Sequence, residues 1–289
     1  MSTGSSQLPG LSISQVTTLT ASFADDLETY RAGGLDAVGI WELKLPEGGD
    51  DDALAAFRAS GLRAATAVPL VPSILPLPLL SGPDDVRERI DSILASLHRL
   101  APFAPSAVLC FTGPGGDRAT VVAALRELGA EAERLGLRVA LEPFQLEGCE
   151  SWSPVTTLGA AAALLDEVGS PAFGIQFDVW HLWNSPDLED EIERHVDRIV
   201  GVHVNDRREP TRGWCDRVLP GDGVADVPRI LAALERAGWR GDYDVEIFSD
   251  NGAFGNAYPD SLWDVEPREL VRRSRESFIQ CWEERRVAA

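Results

Sequence analysis

The chain is expected to form a single α/β domain, a closed (β/α)8 barrel of the TIM type. Three observations predict it. An apolar, β-prone run followed by a stretch with apolar residues at 3.6 spacing recurs eight times. The loops after the runs (70–83, 145–155, 206–225 and 249–263) are long, whereas the turns after the helical stretches are short. No glycine-rich phosphate turn follows the first strand, which disfavours an open doubly wound sheet.

In chain order, the expected strands are Leu11–Thr18, Ala37–Leu45, Arg63–Leu70, Ala107–Thr112, Arg138–Phe144, Phe173–Val179, Ile199–Asn205 and Tyr243–Phe248. The helical patterns between and after them are Asp25–Ala32, Asp51–Ser60, Asp84–Leu100, Ala119–Leu135, Thr157–Val168, Leu188–Val196, Val227–Ala237 and Glu266–Arg285. Gly33, Gly61, Gly136, Gly169 and Gly238 each follow a helical run, where a left-handed residue satisfies orphan carbonyls. Asp84 and Asp226 are expected N-caps. The domain should span 1–289, with residues 1–10 flexible and 264–289 carrying the last helix. The apolar 70–83 loop reads equally well as a lid over the barrel mouth or as a surface packed on a neighbouring subunit.

Charge narrows the partners. With 26 Lys+Arg against 46 Asp+Glu the net charge is −20, which repels nucleic-acid backbones and anionic membranes. The longest uncharged run, Ala64 to Ser81, carries Pro69, Pro72, Pro76 and Pro78 and cannot be a membrane helix. Residues 1–9 lack the pattern of a signal peptide. The cysteines, Cys110, Cys149, Cys215 and Cys281, are scattered without a CxxC, which fits a reducing cytoplasm. A cytoplasmic protein that binds neither nucleic acid nor membrane is expected.

Four segments place a metal-capable side chain at the carboxyl end of an apolar strand, where barrels keep their chemistry. They are Val139-Ala-Leu-Glu142, Gly174-Ile-Gln-Phe-Asp178, Val200-Gly-Val-His203 and Tyr243-Asp-Val-Glu246. Period-two alternation turns all four inward. Three carboxylates in one mouth would repel each other and take up protons unless a cation joined them. One imidazole with three carboxylates suits Mn2+ first, with Mg2+, Co2+ and Zn2+ also within the range of these ligands. His98 and His195 sit in helical runs beside Arg99 and Arg194 and read as surface or packing residues. His181, one step outside Asp178, is placed to hydrogen-bond a bound hydroxyl or carbonyl. Trp41, Trp180, Trp183, Trp214 and Trp263 fall at or past strand ends, where aromatic faces suit the C–H face of a polyol. Glu42 and Lys44 are weaker candidates for the mouth.

The pieces Leu141-Glu142-Pro143, Phe177-Asp178-Val-Trp-His181, His203-Val-Asn-Asp206, Leu219-Pro-Gly-Asp-Gly223 and Val245-Glu246-Ile-Phe resemble, in combination and order, the xylose-isomerase-like barrel superfamily. Within it they are most similar to the inosose isomerases. The resemblance implies Glu142, Asp178, His203 and Glu246 as metal ligands, His181 as a substrate contact, and a homodimer or homotetramer. It also implies an arginine after His203 that touches substrate. Arg207, Arg208 and Arg212 compete for that role, and Arg208 is named, with Trp180 and Trp214 as aromatic contacts. Asn205 stands where the superfamily often has Lys, and Glu147 is out of register with the second glutamate of ketose epimerases.

The implied chemistry is isomerisation or epimerisation of a keto-sugar or keto-inositol through an enediolate, with Glu142 and Glu246 moving the proton. A lyase or dehydratase acting on an inosose or related keto-polyol would begin with the same proton abstraction. The many histidines and basic groove needed by a DNA-repair endonuclease are missing.

Overall fold

The computed structural model describes residues 8–77, 82–145 and 152–288. Residues 1–7 of the expected flexible start, 78–81 of the loop after the third strand, and 146–151, with Glu147 and Cys149, lie outside the described residues.

Eight parallel strands close into a barrel. They are β1 (Leu11–Ser14), β2 (Ala37–Trp41), β3 (Arg63–Val68), β4 (Ala107–Cys110), β5 (Val139–Leu141), β6 (Phe173–Asp178), β7 (Ile199–Val204) and β10 (Tyr243–Val245), in the circular order β1-β10-β7-β6-β5-β4-β3-β2. A short antiparallel ribbon, β8 (Asp206–Arg207) with β9 (Arg217–Val218), leaves the end of β7. The helices are α1 (Phe23–Ala32), α2 (Asp50–Ser60), α3 (Val86–Leu100), α4 (Arg118–Leu135), α5 (Leu158–Val168), the single turn α6 (Val179–Leu182), α7 (Leu188–His195), α8 (Val227–Ala237) and α9 (Pro267–Ala288). Among the described residues no helix is long and apolar enough to cross a membrane.

The longer helices lay an apolar stripe on the barrel, whereas α7 buries only Ile192. In α8, Ile230, Leu231 and Leu234 are buried and Gly238 closes the helix at φ 107°. Two expected caps differ. Asp85, not Asp84, caps α3, accepting from the Glu88 amide at 3.0 Å. Gly33 is right-handed at φ −72°, and the left-handed turn falls on Gly34. In both cases adjacent residues of the same type compete for one position, and only the loop geometry separates them.

The expected strands ran one to four residues too far at their carboxyl ends, because apolar, β-prone residues continue into the mouth after the staves diverge. The pairing persists a little beyond β5 and β10. The Glu142 amide donates to the Cys110 carbonyl at 3.2 Å and the Glu246 amide to the Val204 carbonyl at 3.1 Å. Register then aligns the inward residues. Asp178 of β6 and Asp244 of β10 both pair with His203 of β7.

Candidate metal and substrate site

Glu142, Asp178, His203 and Glu246 meet at the carboxyl end of the barrel, each no more than 3% exposed. Ligand atoms of Glu142, Asp178 and His203 lie within 4.8 Å of one another, and this buried triad can hold a metal ion. His203 Nδ1 is 3.2 Å from Glu246 Oε2, 3.9 Å from Asp178 Oδ2 and 4.0 Å from Glu142 Oε1. Glu142 Oε1 and His203 Nε2 are buried with no hydrogen-bond partner among the described residues. A nitrogen and two carboxylates within 4.8 Å of one another, with Glu246 beside the nitrogen and an orphaned carboxylate oxygen among them, fit a hard divalent cation.

The electrostatics reflect this crowding. Burial and the nearby Asp178 hold the Glu142 carboxyl well above the usual range. Burial opposes charge on Glu246 too, but His203 and Arg217 outweigh it and bring its pKa down. Burial likewise pulls His203 down, yet Glu246, Asp244 and Asp178 raise it to about 10. His181 is lowered by burial to about 3, so its ring is neutral near pH 7.

The ligands are steadied locally. Asp178 caps α6: its Oδ1 accepts from the Trp180 amide at 2.8 Å and from Asn205 Nδ2 at 2.9 Å. Asn205, at the position where the superfamily often has Lys, thus holds a site carboxylate. Asp206 turns away from the mouth and gathers four backbone amides, of Arg207 (2.7 Å), Gly221 (3.0 Å), Gly223 (3.0 Å) and Ala225 (2.9 Å). This knot folds the Leu219–Gly223 loop against the ribbon, and the ribbon carries Arg217. Buried Arg217 donates through Nη1 to Asp178 Oδ2 at 2.8 Å and to Glu246 Oε2 at 3.0 Å.

Above the quartet opens a cavity of about 440 Å3. Glu142, Glu246, His181 and Arg217 form its polar end, and aromatic and aliphatic side chains form the rest of the described wall. Leu70, Val71, Pro72 and Leu77 of the loop after β3 contribute to that wall.

The structure distributes the expected contacts unevenly. His181 and Trp214 line the cavity. Trp180 does not: it is buried behind Arg217, whose guanidinium carbon stacks 5.0 Å from its ring centre. Arg208 is drawn to Asp216 at 3.1 Å and Asp260 at 2.9 Å, at the ribbon's edge and outside the cavity wall. Arg212 is bound by the same two acids, and Arg207 stacks at 5.5 Å on Trp180. Glu42 and Lys44 face away from the site. Glu42 accepts from the Leu70 amide at 2.9 Å, and Lys44 pairs with Asp26 at 2.5 Å. Trp183 lines a different surface depression and Trp263 is buried, donating to the Ile247 carbonyl at 3.1 Å. Sequence reasoning missed Arg217, Trp152 and Asp244. Arg217 had a faint signal, as a lone cation between Cys215 and Val218-Leu219 just before the Pro-Gly-Asp-Gly turn.

Comparison with known proteins adds lineage to this geometry. The Xylose isomerase-like TIM barrel family model matches residues 28–281. Among curated proteins, an inosose isomerase of Halalkalibacterium halodurans is 30% identical over 131 residues, 43% of this chain and 44% of that relative. The chain spans about half the length of the curated relatives it matches. Among solved structures, a protein of Sinorhizobium meliloti 1021 is 26% identical, covers 95% of this chain and 99% of its own, and superposes with a TM-score of 0.82. A zinc-bound IolI protein shares the fold at 20% identity and a TM-score of 0.77, over 95% of this chain and 98% of that one.

Proposed function

The chain belongs to the xylose isomerase-like TIM barrel family, and on that premise we propose that it isomerises or epimerises a keto-sugar or keto-inositol with the help of a divalent cation. One observation carries the reading. Glu142 and Glu246 border the same cavity, on strand ends separated by those of Asp178 and His203. That arrangement suits moving a proton from one position of a bound hydroxy-ketone and returning it at another.

Glu142, Asp178, His203 and Glu246 would hold the cation, with Mn2+ the first choice for this donor set. When bound, it would supply Lewis-acid polarisation of a carbonyl and neutralise charge developing on the adjacent oxygens. The chain's own groups do the rest. One glutamate takes the proton α to the carbonyl, leaving an enediolate. The other returns a proton to the neighbouring carbon or to the opposite face of the same carbon. Neutral His181 is placed to hydrogen-bond a substrate oxygen. Arg217 offers a fixed positive charge beside Asp178 and Glu246, where an oxyanion would need it. The aromatic wall limits water at the reacting carbons.

The inosose isomerases among the relatives make an inosose the first substrate to try. The test is solvent-deuterium exchange with inososes and ketoses in the presence of Mn2+. Label appearing α to the carbonyl supports the reading. Absence of exchange across the panel, with Mn2+ shown to be bound, refutes it.

A further inference from the structure

The described wall of the cavity is lopsided in its chemistry, and we infer that the substrate is lopsided too: a hydroxy-ketone sugar unit carrying an aromatic substituent. This rests on the isomerase reading and narrows its substrate class. The ionisable side chains of the described wall, Glu142, His181, Arg217 and Glu246, stand together at one end. They can serve a ketone, its neighbouring hydroxyl and little more.

A belt of rings begins against that end, where Phe144 meets His181 edge-on with centroids 4.3 Å apart and Arg217 lies 4.7 Å over Phe248, and continues along the wall. Phe111 meets Phe144 edge-on with centroids 5.0 Å apart, Phe144 meets Trp152 at 5.9 Å, and Trp152 meets Trp214 at 6.3 Å. Trp214 in turn contacts Phe254 at 5.6 Å, again edge-on. These rings all border the cavity. Trp41 and Leu109 add to the apolar lining, and so do Leu43 and Leu70, which are 52% and 50% exposed.

A bare polyol has a hydroxyl on nearly every carbon. Each one pressed against this belt without a partner would give up its hydrogen bonds to water with nothing in return. A sugar's C–H face can stack on one ring, but here rings and aliphatic chains lie on several sides at once. An aryl group instead extends the edge-to-face pattern already in the wall. The cavity, at about 440 Å3, falls in the range of pockets that enclose whole small molecules.

The experiment compares 3-keto-glucose with its phenyl glycoside in deuterated buffer with Mn2+, reading kcat/KM for α-proton abstraction as exchange α to the ketone plus any phenol released, because an enediolate toward C2 can expel the phenoxide at C1. Wild-type protein should favour the phenyl glycoside by at least about tenfold. Leu43→Asp and Leu70→Asp alter half-exposed entrance positions, so both should fold, as a thermal melt would verify, and each should shrink that preference. Equal or faster abstraction from the unsubstituted sugar overturns the aryl inference alone and leaves the isomerase reading standing. A preference untouched by both variants overturns the assignment of the aryl group to this cavity. Abstraction from neither compound, nor from inososes, removes both readings together.

Discussion

His203 stands between carboxylates on both edges of its ring. Its Nδ1 is 3.2 Å from Glu246 Oε2 and its Nε2 is 3.8 Å from Asp244 Oδ2. Both Asp244 oxygens are buried without a hydrogen-bond partner among the described residues. Space for this carboxylate exists because residue 39 is glycine: a Cβ there would lie 2.2 Å from Asp244 Oδ2 and 2.8 Å from the Ser14 Cα. At 3.8 Å the Asp244 carboxylate acts on the ring through charge, favouring a proton on Nε2 and leaving Nδ1 free for the proposed cation. Asp244→Asn should therefore weaken Mn2+ or Zn2+ binding by about 10- to 100-fold, measured by calorimetry on metal-stripped protein. His203→Ala and Asp178→Asn should abolish binding. An unchanged affinity in Asp244→Asn would show that the carboxylate does not support the ring.

Arg217 and Arg208 make opposite predictions although both follow His203. Arg217 is 4% exposed, with Asp178 and Glu246 within hydrogen-bonding distance. Arg208 lies in a partly exposed pairing with Asp216 and Asp260, an arrangement that contributes about 0–1 kcal/mol. Arg217→Ala should lower kcat/KM for α-proton exchange by on the order of 10²-fold, the effect of removing one preorganised donor. Metal affinity should hold or rise, since the guanidinium competes for two of the ligand oxygens. Arg208→Ala should stay within a few-fold of wild type. Steady-state exchange rates alongside metal titrations would separate the two, and a large loss in Arg208→Ala would reverse the assignment.

His181→Ala should retain the cation and lose turnover. The ring's Nε2 is 4.0 Å from Asp178 Oδ2, and the side chain borders the cavity rather than joining the triad. Metal content after desalting and kcat/KM are the two readouts. Loss of the metal in this variant would make His181 a ligand.

The alternation of apolar runs and amphipathic stretches made the eight staves legible, because strand and helix periods differ and each run must bury a face. That Glu142, Asp178 and His203 come together was legible because each ends an apolar strand at the same rim; Glu246 stands two residues past the register partner of His203 and reaches the site beside its Nδ1. What period and composition could not encode was the path of the excursion after β7. The choice of Arg217 over Arg208 depends on a two-stranded ribbon pinned by Asp206, a contact 11 residues from Arg217 in sequence but set by loop amides up to Ala225. Trp152 was overlooked because its loop has no regular period. Asp244 was hidden in plain alternation, two residues before a more conspicuous glutamate.

The amide knot at Asp206 is itself a stability prediction. Its carboxylate satisfies the amides of Arg207, Gly221, Gly223 and Ala225, and Gly223 must be glycine because a Cβ would sit 2.3 Å from Asp206 Oδ1. Asp206→Ala leaves these donors to water or unpaired, at a cost on the order of 3 kcal/mol. Urea unfolding should report a lower midpoint. Because the ribbon carries Arg217, exchange activity should fall even at temperatures where the variant stays folded. A wild-type midpoint would mean that the loop holds its shape without the knot.

Asp26 gives the chain a pH dependence of stability independent of the site. It is fully buried against Lys44, Thr18 and Gln15. Burial raises its pKa from 3.8 to about 6, although Lys44 and the hydrogen bonds pull it down. Between those values the folded chain keeps a proton that the unfolded chain has released. The stabilising contribution is therefore complete below about pH 4 and is lost as the pH rises through 6. Relative to Asp26→Asn, which cannot titrate, wild-type stability should decline by on the order of 2–3 kcal/mol from pH 4 to 7. Paired urea titrations at pH 4, 5, 6 and 7 measure that difference directly. If it were flat, or grew with pH, the Lys44 ammonium would be outweighing burial, and Asp26 would be ionised in the folded chain throughout the range.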